Sequence, residues 1–264
     1  HEGANLISYS QAASQSIETG LPDDVQQKIF AIFGQNISAL NINGMWFGSL
    51  SSFEPGKGYW YIATEPFVFQ YDSVSSALSL NEDNVLEPIP VELDYYQSTS
   101  QSFYFIKDLN LNHYELENGD LIVAFNGDTI VGARQWDGNY TDIPVMGYDG
   151  GNSSISLESD RNTDSFCREG DIPEFKLFKS STGQYISLES SEPIPKWINN
   201  QVFILSNLAD QEFPTEVTLH SAYPNPFNPS TIISYEVPFG GSYINLSIYD
   251  IMGRKVDVLV NEYQ

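Results

Sequence analysis

The chain is written in short runs of Tyr, Phe, Ile and Val that alternate with polar residues, each run cut off within a few residues by Gly, Asn, Asp or Pro. A side-chain period of two is that of a strand with one buried face, and it lays down no apolar stripe on a helix. Runs of this kind occur at residues 58–63, 67–71, 102–106, 121–125, 129–133, 174–178, 184–188 and 202–205. They predict an all-β protein built of tandem β-sandwich-like modules. One stretch has a different period. Val25, Ile29, Ile32 and Phe33 fall at helical spacing behind Asp23 and Asp24, whose charges suit a helix N-terminus. The spacing predicts a short helix over residues 22–33, packed on a sheet.

With 264 residues, 41% of them hydrophobic, the chain has material for two or three cores. Composition divides it into an N-terminal β-rich module with the short helix (1–72), a Ser-, Asn- and Glu-rich connector (73–90), a central β-sandwich module (91–208) and a C-terminal segment (209–264). The first module closes on Glu54-Pro55-Gly56-Lys57-Gly58-Tyr59-Trp60, a turn that launches an aromatic strand.

Charge narrows the function classes. The 35 Asp and Glu against 11 Lys and Arg leave a net charge of -24, which repels nucleic-acid backbones and anionic lipid headgroups. No apolar run approaches the length of a membrane span, so membrane insertion is not expected. Cys167 is the single cysteine, so no intrachain disulfide can form, and a buried, small apolar role is expected for it. The chain begins His-Glu-Gly without an initiator Met, as a mature protein would after removal of its leader, and an engineered start would look the same. A copper site at His1 needs a second histidine, and His113 and His220 are the two others.

Three kinds of chemistry have candidate residues. Asp160, Asn162, Asp164 and Asp171 stand at the first, third, fifth and twelfth positions of an EF-hand-like loop, a candidate site for structural calcium. Ser165 occupies the position of the usual turn glycine, and no helices flank the loop, so a polar surface loop is the alternative. Asp137, Asp142 and Asp149 could extend the same acidic face. Trp136 and Tyr140, in a Gly- and Asn-containing loop, are candidates for stacking on a sugar ring, as more distantly are Trp46, Tyr59 and Trp60. Most aromatics must nevertheless fill cores or interfaces. Catalysis finds no motif: there is no nucleophile elbow, metalloprotease helix or phosphate-binding glycine loop. A non-enzymatic protein without a cofactor is expected.

The most specific motif lies in the last segment. Tyr223-Pro224-Asn225-Pro226-Phe227-Asn228-Pro229-Ser230-Thr231 precedes an alternating strand at 232–237, then Leu246-Ser247-Ile248-Tyr249-Asp250-Ile251-Met252-Gly253-Arg254-Lys255-Val256. The prolines cannot pair within a central strand, and Gly253 suits the tight turn of a hairpin. This order of motifs closely resembles the C-terminal sorting domain of type IX secretion cargo, an immunoglobulin-like fold. The resemblance implies a Bacteroidetes-like source, export across the outer membrane, and an extracellular or outer-cell-surface location. Such domains normally continue with more strands and a Trp-Asp-Gly turn beyond the position of Glu262, so an incomplete domain is expected here. Three things could account for the bare edge and apolar face: a truncated chain, cleavage of the remainder, or strand complementation by another chain, with Tyr223, Phe227, Ile248, Tyr249, Val258 and Val260 at the contact. Identical subunits joined in this way form an oligomer or filament. The first two modules are similar to β-rich modules of the same secreted proteins. Ser73 and Thr129 lie in Asp-Ser/Thr-aliphatic triplets that resemble O-glycosylation sites of such bacteria. Asn-x-Ser/Thr sequons also occur at Asn36, Asn139, Asn152 and Asn245. The expected function is that of a self-assembling surface structural protein. The alternative is a carbohydrate-binding or adhesion module.

Overall fold

The computed structural model describes residues 1–73, 90, 93, 95–150, 163–210, 217–237 and 242–264. These residues are nearly all β, with several sheets in sandwich-like layers and, among the described residues, two single-turn helices. The chain divides into two compact units, 1–211 and 212–264.

The first unit opens with β1 (Gly3–Ser8), β2 (Gln15–Ser16), α1 (Ile17–Gly20), α2 (Asp23–Gln26), β3 (Ile29–Phe33), β4 (Ser38–Ile42), β5 (Met45–Phe47), β6 (Ser52–Phe53) and β7 (Gly58–Ala63). Five of these strands make an antiparallel sheet in the order β1-β7-β3-β4-β5, and β2 pairs with β6. The helix expected over 22–33 is therefore corrected. Only Asp23–Gln26 is helical, and Ile29–Phe33 is a strand inside the sheet. The physical reason is burial on both faces. Ile29-Phe30-Ala31-Ile32-Phe33 is an unbroken apolar run, the mark of a strand covered from both sides, and apolar residues at every position satisfy helical spacing as well. A register shift between Ile29 and Ala31 lets the strand serve two cores. Ile29 and Ile32 join Tyr9, Phe53, Tyr59 and Tyr61, while Ala31 and Phe33 face Phe103, Phe105 and Val202.

The unit continues with β8 (Ser100–Asn110), β9 (Leu121–Asn126), β10 (Thr129–Gln135), β11 (Thr141–Gly147), β12 (Glu174–Lys179), β13 (Gln184–Glu189) and β14 (Val202–Asp210). These form one sheet in the order β10-β9-β12-β13-β14-β8-β11, antiparallel except where β14 meets β8. Its edges β10 and β11 come together, so the sheet curls toward closure. A Cβ on Gly132 would stand 1.7 Å from the carbonyl oxygen of Pro144. Pro144 fits this seam because Phe103, opposite it in β8, donates its N–H the other way, to Gln201 at 3.0 Å. The missing proline N–H therefore faces β10, where a proline is tolerated. The interior is packed with Tyr104, Ile122, Val145, Phe175, Leu177 and Trp197.

The N-terminal and central segments, separate in composition, share a core. Phe33 packs against Phe103 at 5.5 Å with the rings tilted, and Ala31 and Leu40 belong to the same cluster. Polar groups join them too: Ser38 Oγ and Ser49 Oγ donate to Asp142 at 2.8 and 2.7 Å. Gly48, at φ +114, lets the chain pass this junction, since a Cβ there would meet the Ser38 carbonyl oxygen at 2.4 Å.

The second unit contains β15 (Thr218–Leu219), β16 (Tyr235–Glu236), β17 (Tyr243–Tyr249) and β18 (Lys255–Tyr263). β15 pairs with β16 and β17 with β18, both antiparallel, and the proline-rich stretch between β15 and β16 is pinned by a bridge from Tyr223 to Ile232.

Candidate assembly surface

The hairpin of β17 and β18 turns where Gly253 adopts φ +77. Asp250 organises the turn. One carboxylate oxygen accepts the N–H groups of Met252 and Arg254, both at 2.9 Å, and the other accepts Arg254 Nε at 2.7 Å. The Arg254 backbone N–H and then its side chain hold the Asp250 carboxyl below its ordinary range.

Along β17 the residues Ile244, Leu246 and Ile248 share one face, with Val260 opposite Leu246, and Tyr243 pairs with Tyr263 on the other. In a complete sandwich one of these faces would be covered. Here Ile244 is the one apolar side chain buried among the described residues of the unit. Tyr223, Phe227, Ile248, Tyr249 and Val258 are exposed, from 38% at Val258 to 80% at Tyr223, and Val260 is half-buried. Ile251 and Met252 at the tip, and Val256 on β18, add exposed apolar area that sequence reasoning did not single out. Ile251 and Met252 lie in the turn, and Val256 lies at a bulge, which no single-strand pattern reveals.

The other candidate residues lie elsewhere. Asp160 and Asn162 fall outside the described residues. Asp171 is half-buried and accepts the Arg168 N–H at 2.8 Å and the Asn126 amide at 3.4 Å, the pattern of a turn-closing carboxylate. Asp164 sits in an exposed turn whose carbonyl accepts from Arg168. Among the described residues no group of three or more His, Cys, Asp or Glu side chains could hold a metal ion. Asp142, read from sequence as part of an acidic face, is buried and bonded to Ser38, Ser49 and Arg134. Trp136 is half-buried against the core of the curled sheet. Tyr140, at φ +62, packs on Phe47 at 5.0 Å and belongs to the core shared by the two segments. The structure thus brings these two rings against different cores. Of the triplet hydroxyl residues, Ser73 is exposed and Thr129 half-buried at the start of β10. Asn36 is held by Tyr95 and Arg134, Asn139 and Asn245 are exposed, and Asn152 falls outside the described residues. Cys167 is fully buried, and burial followed by the charge of Asp171 pushes its thiol up to about 12, which keeps it protonated and unreactive.

No family model matches the chain, and no curated protein or solved structure matches it either. Among the described residues no helix is long and apolar enough to cross a membrane.

Proposed function

We propose that the protein is a secreted, non-enzymatic structural protein of a bacterial cell surface, and that it assembles into filaments through strand complementation at its C-terminal unit. The observation that carries this reading is the bare hairpin: among the described residues both strands pair on one side only, and apolar side chains stand exposed on them. An exposed apolar surface joined to an unpaired strand edge is a template for another strand. Export and surface location rest on the sequence resemblance of residues 223–256. The sugar-binding alternative draws less support, because Trp136 and Tyr140 are engaged in core packing.

Analytical ultracentrifugation over a concentration series tests the proposal. The native chain is expected to grow in mean mass with concentration. The double variant Ile248→Lys/Val258→Lys, altered at exposed positions, is expected to stay at the mass of one chain. A native chain that sediments as a single monomer throughout would refute assembly.

A further inference from the structure

We infer that the strand accepting the C-terminal hairpin is β1 of a second copy of this chain, and that the pairing runs from β1 to β17. The inference rests on the assembly reading above and names the partner surface.

Edge strands decide the matter. In the first unit, β10 and β11 face each other, and β5 is three residues long and stops at Gly48. Among the described residues β1 is the longer edge without a neighbour, six residues without a charge, a proline or a bulge, and so without the usual devices that blunt an edge. The Tyr9 N–H donates to Lys57 at 2.9 Å, so in this register Asn5 and Ile7 direct their backbone groups to β7. Ala4, Leu6 and Ser8 direct theirs outward, and all three are exposed.

The hairpin offers two edges, and they differ. β18 carries Lys255, Asp257 and Glu262, and its ladder is broken at Val256 and Leu259. β17 spans seven uncharged residues, each of them paired, and the extra residues at both register shifts lie on β18. Ser242 and Gln264 exchange N–H···O bonds of 3.0 and 3.1 Å, which leaves the backbone groups of Tyr243 and Asn245 pointing away from β18. Copies with a net charge of -24 repel one another, and two uncharged edges of matching length are where they can approach without placing carboxylates face to face.

Two single variants test the pairing: Leu6→Glu, which blocks the acceptor, and Asn245→Glu, which blocks the donor. Both sites are exposed. Thermal melts confirm that each folds, and Leu6→Pro and Asn245→Pro, which delete an outward N–H, serve as second variants. Each variant alone is expected to sediment as a monomer. An equimolar mixture is expected to double in mass and stop there, because one donor and one acceptor remain. In native assemblies, amide exchange at Ala4, Leu6 and Ser8 should slow. If Leu6→Glu polymerises like the native chain while Asn245→Glu does not, β1 is not the acceptor, and assembly through the hairpin still stands. Dimers of Asn245→Glu alone would mean that β1 pairs with itself, which also overturns the inference. A native chain that never assembles removes both.

Discussion

Asp142 shows how a residue's role can be hidden in its composition. It is one of 35 acidic residues, yet its carboxylate is buried between the two sheets and accepts from Ser38, Ser49 and Arg134. Arg134, also buried, donates in addition to the backbone carbonyls of Asp142 at 3.0 Å and Asn36 at 2.6 Å. Removing one partner of such a pair leaves the other charge uncompensated, at about 3–5 kcal/mol. Asp142→Ala is expected to lose stability on that scale in chemical denaturation. A loss within about 0.5 kcal/mol, the scale of ordinary surface substitutions, would contradict its structural role. A second buried pair, Lys179 and Asp120, sets the pH response. Burial raises the Asp120 carboxyl, but hydrogen bonds from Lys179 and from the N–H groups of Glu117 and Ser180 outweigh it and leave the group below its ordinary range. Burial lowers Lys179, but the bond and charge of Asp120 outweigh that and leave the amine above its ordinary range. For Asp120 the linked stability is present above the unfolded carboxyl value and is lost as pH falls through the lower folded value. For Lys179 it is present below the unfolded amine value and is lost as pH rises through the higher folded one. Lys179→Met is therefore expected to move acid unfolding, followed by circular dichroism, to higher pH; an unmoved midpoint would contradict the pairing.

At the scale of elements, most strands were legible because period two survives wherever one face is buried, whereas residues 67–71, read as a strand, form none, and of 232–237 only Tyr235–Glu236 is one. Gly58–Ala63, Leu121–Asn126 and Gln184–Glu189 lie within a residue or so of where the pattern placed them. The run from Ile29 to Phe33 was misread because a strand covered on both faces has no period to distinguish it from a helix. The union of the first two segments was not legible. Its contacts, such as Ser38 to Asp142, join residues about a hundred positions apart, and no local pattern encodes such a pairing. In the candidate surface, the Gly253 turn and the exposure of Tyr223, Phe227, Ile248, Tyr249 and Val258 were legible from motif order, whereas the edge position of β1 among the described residues was not. Sequence shows that a strand exists and does not show which strands lie beside it. The seam of the curled sheet makes its own prediction. Gly132→Ala would drive a Cβ into the Pro144 backbone, and Gly147→Ala one to within 2.2 Å of the Trp197 ring. Overpacking costs about 1–3 kcal/mol where side chains can adjust. The Gly132 variant has a backbone obstacle and is expected to show the larger fall in melting temperature. Equal, small shifts would mean that β10 and β11 are not in close contact.

At the scale of the whole molecule, the two units differ in how completely they bury what they carry. The first has continuous cores on both sides of its five-stranded sheet. The second leaves most of its described apolar side chains in solvent. A chain without disulfides and with a net charge of -24 gains from neighbours that cover apolar surface, provided that the contacts avoid its carboxylates. Head-to-tail pairing of an N-terminal edge with a C-terminal hairpin meets that condition. Where the rotation of such a contact does not close a ring, it propagates into a fibre, the form we propose. Negative-stain electron microscopy of the purified protein across a concentration series tests this most directly. The account predicts fibres of uniform width that lengthen with concentration and are absent from the Ile248→Lys/Val258→Lys variant. Dispersed particles of single-chain size at every concentration would contradict it.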